Sequence, residues 1–154
     1  MALFDRRWLI RLLNIYPPYV GAGVRVRSSP DLRTFDVRMK LRWWNRNYVG
    51  THFGGSLYSL CDPFFMLLLI EQLGRNYIVW DKAATIRFRR PGKGTVHATF
   101  HIPPEKVEEI RAAADRGGKV EPLFTVEVKD DRGNLVAEVE KLLYVRRKDA
   151  NPIP

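Results

Sequence analysis

A single cysteine, Cys61, stands in 154 residues. No intrachain disulfide can form, and no cysteine-only metal site can be built. A reducing cytoplasm is the compartment that this count fits. Acidic residues are also short, 17 against 26 Lys and Arg, for a net charge of +9. Such an excess favours an anionic partner, such as nucleic acid, a membrane surface or a phosphorylated small molecule. The most apolar run, residues 63–70, directly follows Asp62 and falls far short of the ~20 residues that a membrane span needs. The first 19 residues are interrupted by Arg6, Arg7 and Arg11 and lack a small-residue cleavage site, so no secretory signal is expected. Histidine is scarce too. His97 and His101 alternate on the wet face of one expected strand, far from any carboxylate motif, so no metal site is expected. What remains is 45% hydrophobic and 28% charged, the composition of one globular domain over 1–154.

Periodicity sorts the elements. Phe4, Trp8, Leu12 and Ile15 recur at helical spacing over residues 1–19, with Leu9, Leu13 and Tyr16 widening the stripe, which predicts an amphipathic helix stopped by Pro17-Pro18. The period then becomes two. Val20, Ala22, Val24 and Val26 alternate with small or polar residues, as do Phe35, Val37, Met39, Leu41 and Trp43. Ala84, Ile86 and Phe88 follow the same pattern within an expected strand over 80–90, and Val96, Ala98, Phe100 and Ile102 within the next. Residues 124–128 lead through an Asp-Asp-Arg-Gly-Asn turn into 135–145, a hairpin signature. Strict alternation buries one face and wets the other, as in an antiparallel sheet. A helix is also expected over 104–116, between Pro104 and Gly117-Gly118. The segment 54–73 is apolar nearly all round and must be covered on most sides. An α+β fold in which the sheet wraps that one long helix satisfies both demands, with a core over 20–147 and a loose tail over 148–154.

Chemistry concentrates between Asn47 and Pro63. Gly54-Gly55 opens the core helix, whose first N–H groups lack intrahelical partners and form its positive end. Such a start can stabilise a carbonyl oxygen as it gains negative charge, and Asn47 can add a donor or orient a water. Asp62 is an ionisable group in an apolar helix and must be paired, hydrogen-bonded or functional. Pro63 lacks the N–H that would bond the Ser59 carbonyl, which predicts a kink. Cys61 reads as a small core residue.

Asn47, Gly50, Gly54, Gly55 and Asp62 keep the spacing of the hotdog-fold acyl-CoA thioesterases, and the chain resembles the branch related to phenylacetyl-CoA thioesterase. The resemblance covers about residues 20–147, including the strand before Pro91-Gly92. It implies a hotdog fold and hydrolysis of a thioester by water. By it, Gly54 or Gly55 polarises the thioester carbonyl, Asn47 assists, and Asp62 is general base or nucleophile. Phe53 stands where the family has histidine, and His52 lies one position early. Asp81 occupies the place of a serine or threonine that helps hold the water. Two nearby carboxylates would push one pKa up, leaving an acid and a base in one site. Phe53, Tyr58 and Ser59 are expected to contact substrate.

Arg87, Arg89 and Arg90 surround the end of their strand and are expected to meet the phosphates of coenzyme A, as arginine pairs with phosphate in a bidentate way. Coenzyme A would enter as part of an acyl-CoA substrate, with no separate cofactor. Trp43 and Trp44 adjoin rather than alternate along a basic strand, so no nucleic-acid platform is expected. Gly55 and Asp62 lie roughly 10 Å apart along a helix. The site is therefore expected at the interface of a homodimer, which in the resembling family commonly pairs into a dimer of dimers. The competing class is a non-catalytic acyl-CoA or acyl-chain binder of the same fold.

Overall fold

The computed structural model describes residues 6–148. Its order is α1 (Arg6–Ile15), α2 (Pro17–Ala22), β1 (Val24–Ser28), β2 (Thr34–Lys40), α3 (Gly54–Ser59), α4 (Phe64–Leu73), β3 (Tyr77–Phe88), β4 (Thr95–His101), α5 (Pro104–Asp115), β5 (Leu123–Asp130) and β6 (Leu135–Arg147). The six strands form one antiparallel sheet in the order β1-β2-β4-β5-β6-β3. The sheet curls around α3 and α4 in the hotdog arrangement that the alternating strands and apolar helix require. Inward residues such as Phe35, Met39, Phe100 and Val139 meet Leu60, Phe64, Leu68 and Leu69 in one core. Phe64 stacks among Tyr19, Phe35 and Phe100 at centroid distances of 4.8–6.3 Å. The stretch Gly54–Leu73 is long and apolar enough to reach across a bilayer by composition alone, but here its apolar side chains fill this core.

Several boundaries differ from the sequence expectation. Pro17-Pro18 ends α1 but also begins α2, because proline suits the first helical turn, where its missing N–H has no partner. Val20 and Ala22 are therefore helical, and the first strand starts at Val24 after Gly23 turns the chain at φ +78°. Of the expected stripe, Leu13 packs on the core, with Ile10 beside it, whereas Trp8, Ile15 and Tyr16 are exposed. Asn14 fixes that orientation, its amide bonding both the N–H and the carbonyl of Val26 at 2.9–3.0 Å. Phe4 and the tail beyond residue 148 lie outside the described residues. Leu41 and Trp43 fall past the end of β2, and Trp43 is exposed.

The core helix is broken, not merely kinked. Residues 60–63 form a turn between α3 and α4, with Pro63 as the cap of the second. The Ser59 carbonyl, left without its helical donor, accepts from the Tyr19 hydroxyl at 3.1 Å and the Asp62 N–H at 3.3 Å. Asp62 thus sits in a backbone break held from outside by α2. Strand β3 lies at the sheet edge, its outer side unpaired over 12 residues. A bulge between Asp81 and Ala83 shifts its register against β6, so Asp81 pairs Leu143 while Ala84 pairs Lys141. The extra residue brings Asp81 into the inward phase of Ala84, Ile86 and Phe88. That face was expected to be buried, yet Ala84 and Phe88 are exposed on this edge strand.

Candidate active site

The expected residues gather in three places. A cleft of about 400 Å³ contains Asn47, Gly54, Arg89 and Arg90. A second, of about 440 Å³, holds Phe53, Gly55 and Ser59. Tyr58, Asp62 and Asp81 meet elsewhere, around Lys141.

At the helix start, the Asn47 amide donates to Thr51 Oγ1 at 2.9 Å and the His52 carbonyl at 3.4 Å, and accepts from the Thr51 N–H. Its hydrogen bonds hold the 47–52 loop, so as placed it shapes the cleft instead of offering a donor to it. Phe53 and Phe88, both 57% exposed, lie over the two glycines. A Cβ on Gly54 would sit 2.9 Å from Phe88 Cζ, and one on Gly55 2.6 Å from Phe53 Cε1. Glycine is required there for rings to reach the backbone. His52 lines the first cleft but is buried, with Nε2 on the Gly94 carbonyl at 3.0 Å. Burial lowers its pKa, and bonding to a carbonyl needs the proton on Nε2. Of the arginines, Arg87 bonds Glu140 at 2.9 Å and Arg89 bonds Glu138 at 3.2 Å across the β3–β6 ladder. Arg90 lies close enough to Asp130 to help lower its pKa, although hydrogen bonds from Asn134 contribute most.

Around the break in the core helix, Tyr58 Oη donates to Asp62 Oδ1 at 2.7 Å. Lys141 Nζ donates to the same oxygen at 2.9 Å and to Tyr58 Oη at 3.0 Å. Its ammonium also stands 3.2 Å from Asp81 Oδ1, an ion-pair contact without hydrogen-bond geometry. Lys141 is 0% exposed, Asp62 50% and Asp81 25%. Partial burial raises the Asp81 pKa, with the Asp62 charge adding to the rise and Lys141 opposing it. The Lys141 pKa is raised, its bonds to Tyr58 and the carboxylates outweighing desolvation, which is the largest single influence and acts the other way. Cys61, beside them, is buried and its thiol is pushed up to about 12, chiefly by desolvation, so it is no nucleophile at neutral pH.

Lys141 was absent from the expected set, though a signal for it exists. It occupies the inward phase of β6 between Val139 and Leu143, in a run from Ala137 to Val145 whose other inward side chains are apolar. A lysine in that phase must find a partner or destabilise the fold.

An expected pH dependence follows from Asp81. A carboxyl whose pKa rises on folding, here from 3.8, binds its proton longer folded than unfolded, so its ionised form weakens the fold. Asp81→Asn should therefore resist denaturant better than wild type at pH 7, with the advantage fading as pH falls toward 4. Urea midpoints at both pH values measure this. An advantage that is absent at pH 7 or that grows toward pH 4 contradicts the assignment.

A family model described as a domain of unknown function, DUF4442, matches residues 6–145. The chain belongs to the DUF4442 family. No curated protein matches it in sequence. Among solved structures, this DUF4442 chain is similar to a Pseudomonas aeruginosa protein of unknown function described as a "probable thioesterase". That match has 25% identity and a TM-score of 0.82, covering 96% of this chain and 98% of the other. A thioesterase from Haemophilus influenzae has 13% identity and a TM-score of 0.68, with coverage of 99% and 97%. The PaaI protein of the E. coli phenylacetic acid degradation operon has 20% identity and a TM-score of 0.62, with coverage of 97% and 98%. The DUF4442 chain thus has the hotdog fold of thioesterase-like proteins.

Proposed function

We propose that the protein hydrolyses an acyl thioester, of the acyl-CoA type, with Asp62 as the general base, at a site completed by a second copy of the chain. The observation that carries the proposal is Asp62 itself: a half-exposed carboxylate at a break in the apolar core helix, at the spacing from Gly54-Gly55 that the thioesterases share. In this reading the N–H groups at the start of α3 receive the thioester oxygen as it becomes anionic. Asp62 takes a proton from the attacking water, and Asp81, with its raised pKa, is the second carboxyl. Phe53 and Phe88 form an apolar lip beside the glycines. Tyr58 steadies Asp62, and Ser59, through its carbonyl, fixes the break to Tyr19.

Two features support a shared site. The clefts at Gly54 and Gly55 are not lined by Asp62 or Asp81 of the same chain. The unpaired edge of β3 and its uncovered inner residues Ala84 and Phe88 offer a second copy both hydrogen bonds and apolar surface. Antiparallel pairing there would bring the helix start of one copy toward the Asp62 of the other.

Free-thiol release from a panel of acyl-CoA thioesters tests the function. Turnover on at least one chain length is expected, and tight binding without release on every member would replace hydrolase with binder. Arg90 is the arginine of its group without an acidic partner within salt-bridge distance among the described residues. Its loss should raise KM for acyl-CoA about tenfold, as for a charged hydrogen bond. A short thioester without the nucleotide should be unaffected by Arg90→Ala. Equal effects on both substrates would point to stability instead.

A further inference from the structure

Both internal donors to Asp62 converge on one of its oxygens. Lys141 Nζ reaches Oδ1 at 2.9 Å from β6, and Tyr58 Oη reaches the same atom at 2.7 Å from α3. Lys141 also bonds Tyr58 Oη, closing a three-membered ring of contacts. Oδ2 accepts no hydrogen bond from any described residue, and the side chain is half exposed. Burying an ammonium is costly unless it is paired and hydrogen-bonded, so a wholly buried lysine whose one hydrogen-bonded carboxylate oxygen is Asp62 Oδ1 is a strong geometric constraint.

We propose that Lys141 is a positioning residue that, together with Tyr58, pins Oδ1 of Asp62 and leaves Oδ2 as the oxygen that accepts the proton of the attacking water. This rests on the thioesterase reading above. As the water oxygen bonds the thioester carbon, its O–H bond breaks, the proton passes to Oδ2, and the carbonyl electron pair moves to oxygen. Collapse breaks the C–S bond, and the proton returns from Oδ2 to the departing thiolate. No other reactant is needed. The charged and titratable groups around Asp62 are Tyr58 from α3, Lys141 from β6, Asp81 from β3, Tyr19 from α2 and Cys61 beside it. Burial raises Tyr19 and Cys61, which keeps both neutral, so Lys141 is the cation that holds the Asp62 charge.

Lys141→Met keeps the stem and removes the charge and the donor. It should lower kcat about 10- to 100-fold with KM within about twofold, the size of a charge-assisted hydrogen bond. The acid limb of its kcat–pH profile should move up by about one pH unit or more, as expected when an opposite charge is lost. Tyr58→Phe, a milder change, should lower kcat several-fold and shift the limb less. A lysine with a purely structural role would lower thermal stability but leave the limb in place, and that result overturns the proposal. If Lys141→Met does not fold, an unchanged kcat in Tyr58→Phe overturns it equally. Carboxyl ¹³C spectroscopy needs no substrate, so it separates the two readings. At pH 7 the Asp62 resonance, assigned through Asp62→Asn, should move in Lys141→Met relative to wild type, because Oδ1 loses its ammonium donor. An unmoved resonance overturns the role of Lys141 whatever the activity. Wild type that releases no thiol overturns the hydrolase reading and with it the assignment of Oδ2 to water, even where the resonance moves.

Discussion

Replacing Asp62 by asparagine is expected to lower kcat by roughly two to four orders of magnitude, the usual contribution of a positioned general base. The side chain keeps its size and can still accept from Lys141 and Tyr58 through its amide oxygen, so the fold should survive. KM should change little, because Asp62 acts on water and not on the bound acyl group. Circular dichroism and a urea midpoint close to wild type would show that the loss is chemical. Retention of more than a tenth of the wild-type kcat in a folded variant would remove Asp62 from the reaction. The Asp81 carboxyl does not substitute for it, since Asp81 lies half-covered behind the Lys141 ammonium.

The second large effect concerns assembly. Gly54→Val should obstruct the start of α3, where even a Cβ meets the Phe88 ring at 2.9 Å. Asp62→Asn should disable the other half of the site. Each alone is expected to be nearly inactive. Co-refolded in equal amounts, half of the dimers should be mixed, and each of these should hold one undamaged site beside one doubly damaged site. Activity should recover to about a quarter of wild type, the value for random pairing in a symmetric dimer. If mixed dimers form, as native mass spectrometry would show, and activity stays at the level of the parents, the site lies within one chain.

Much of the fold was legible in local pattern. Period-two alternation through β2, β4, β5 and β6 calls for an apolar cover on one sheet face, and the all-apolar stretch from Gly54 calls for burial on most sides. The misjudged pieces have separate causes. A proline pair reads as a stop, yet Pro17 is also a good first residue for a helix. Alternation predicts which face a strand residue takes only while the register runs unbroken, and the bulge at Lys82 turns Asp81 inward. Ala84 and Phe88 lie in the phase expected for the core, but β3 is the edge strand of the sheet, and alternation does not encode a strand's place in the order.

At the site, Asp62 and its glycines were readable because they are close in sequence. Lys141 lies 79 residues from Asp62, and only strand pairing brings it there. Its inward phase was visible in the alternation of β6, while its partner was not. The pairing of Arg87 and Arg89 with Glu140 and Glu138 is likewise a matter of register, and it leaves Arg90 as the better candidate for a phosphate.

The most direct test of water activation by Asp62 is a single turnover in H₂¹⁸O with enzyme in excess over its best acyl-CoA, followed by mass spectrometry of the released acid and of the peptide that contains Asp62. General-base chemistry predicts one ¹⁸O in nearly every acid molecule formed in that first turnover and none in Asp62. Unlabelled acid with ¹⁸O in Asp62 would make that carboxylate the nucleophile, and thioester recovered intact would leave a binding protein where this account places an enzyme.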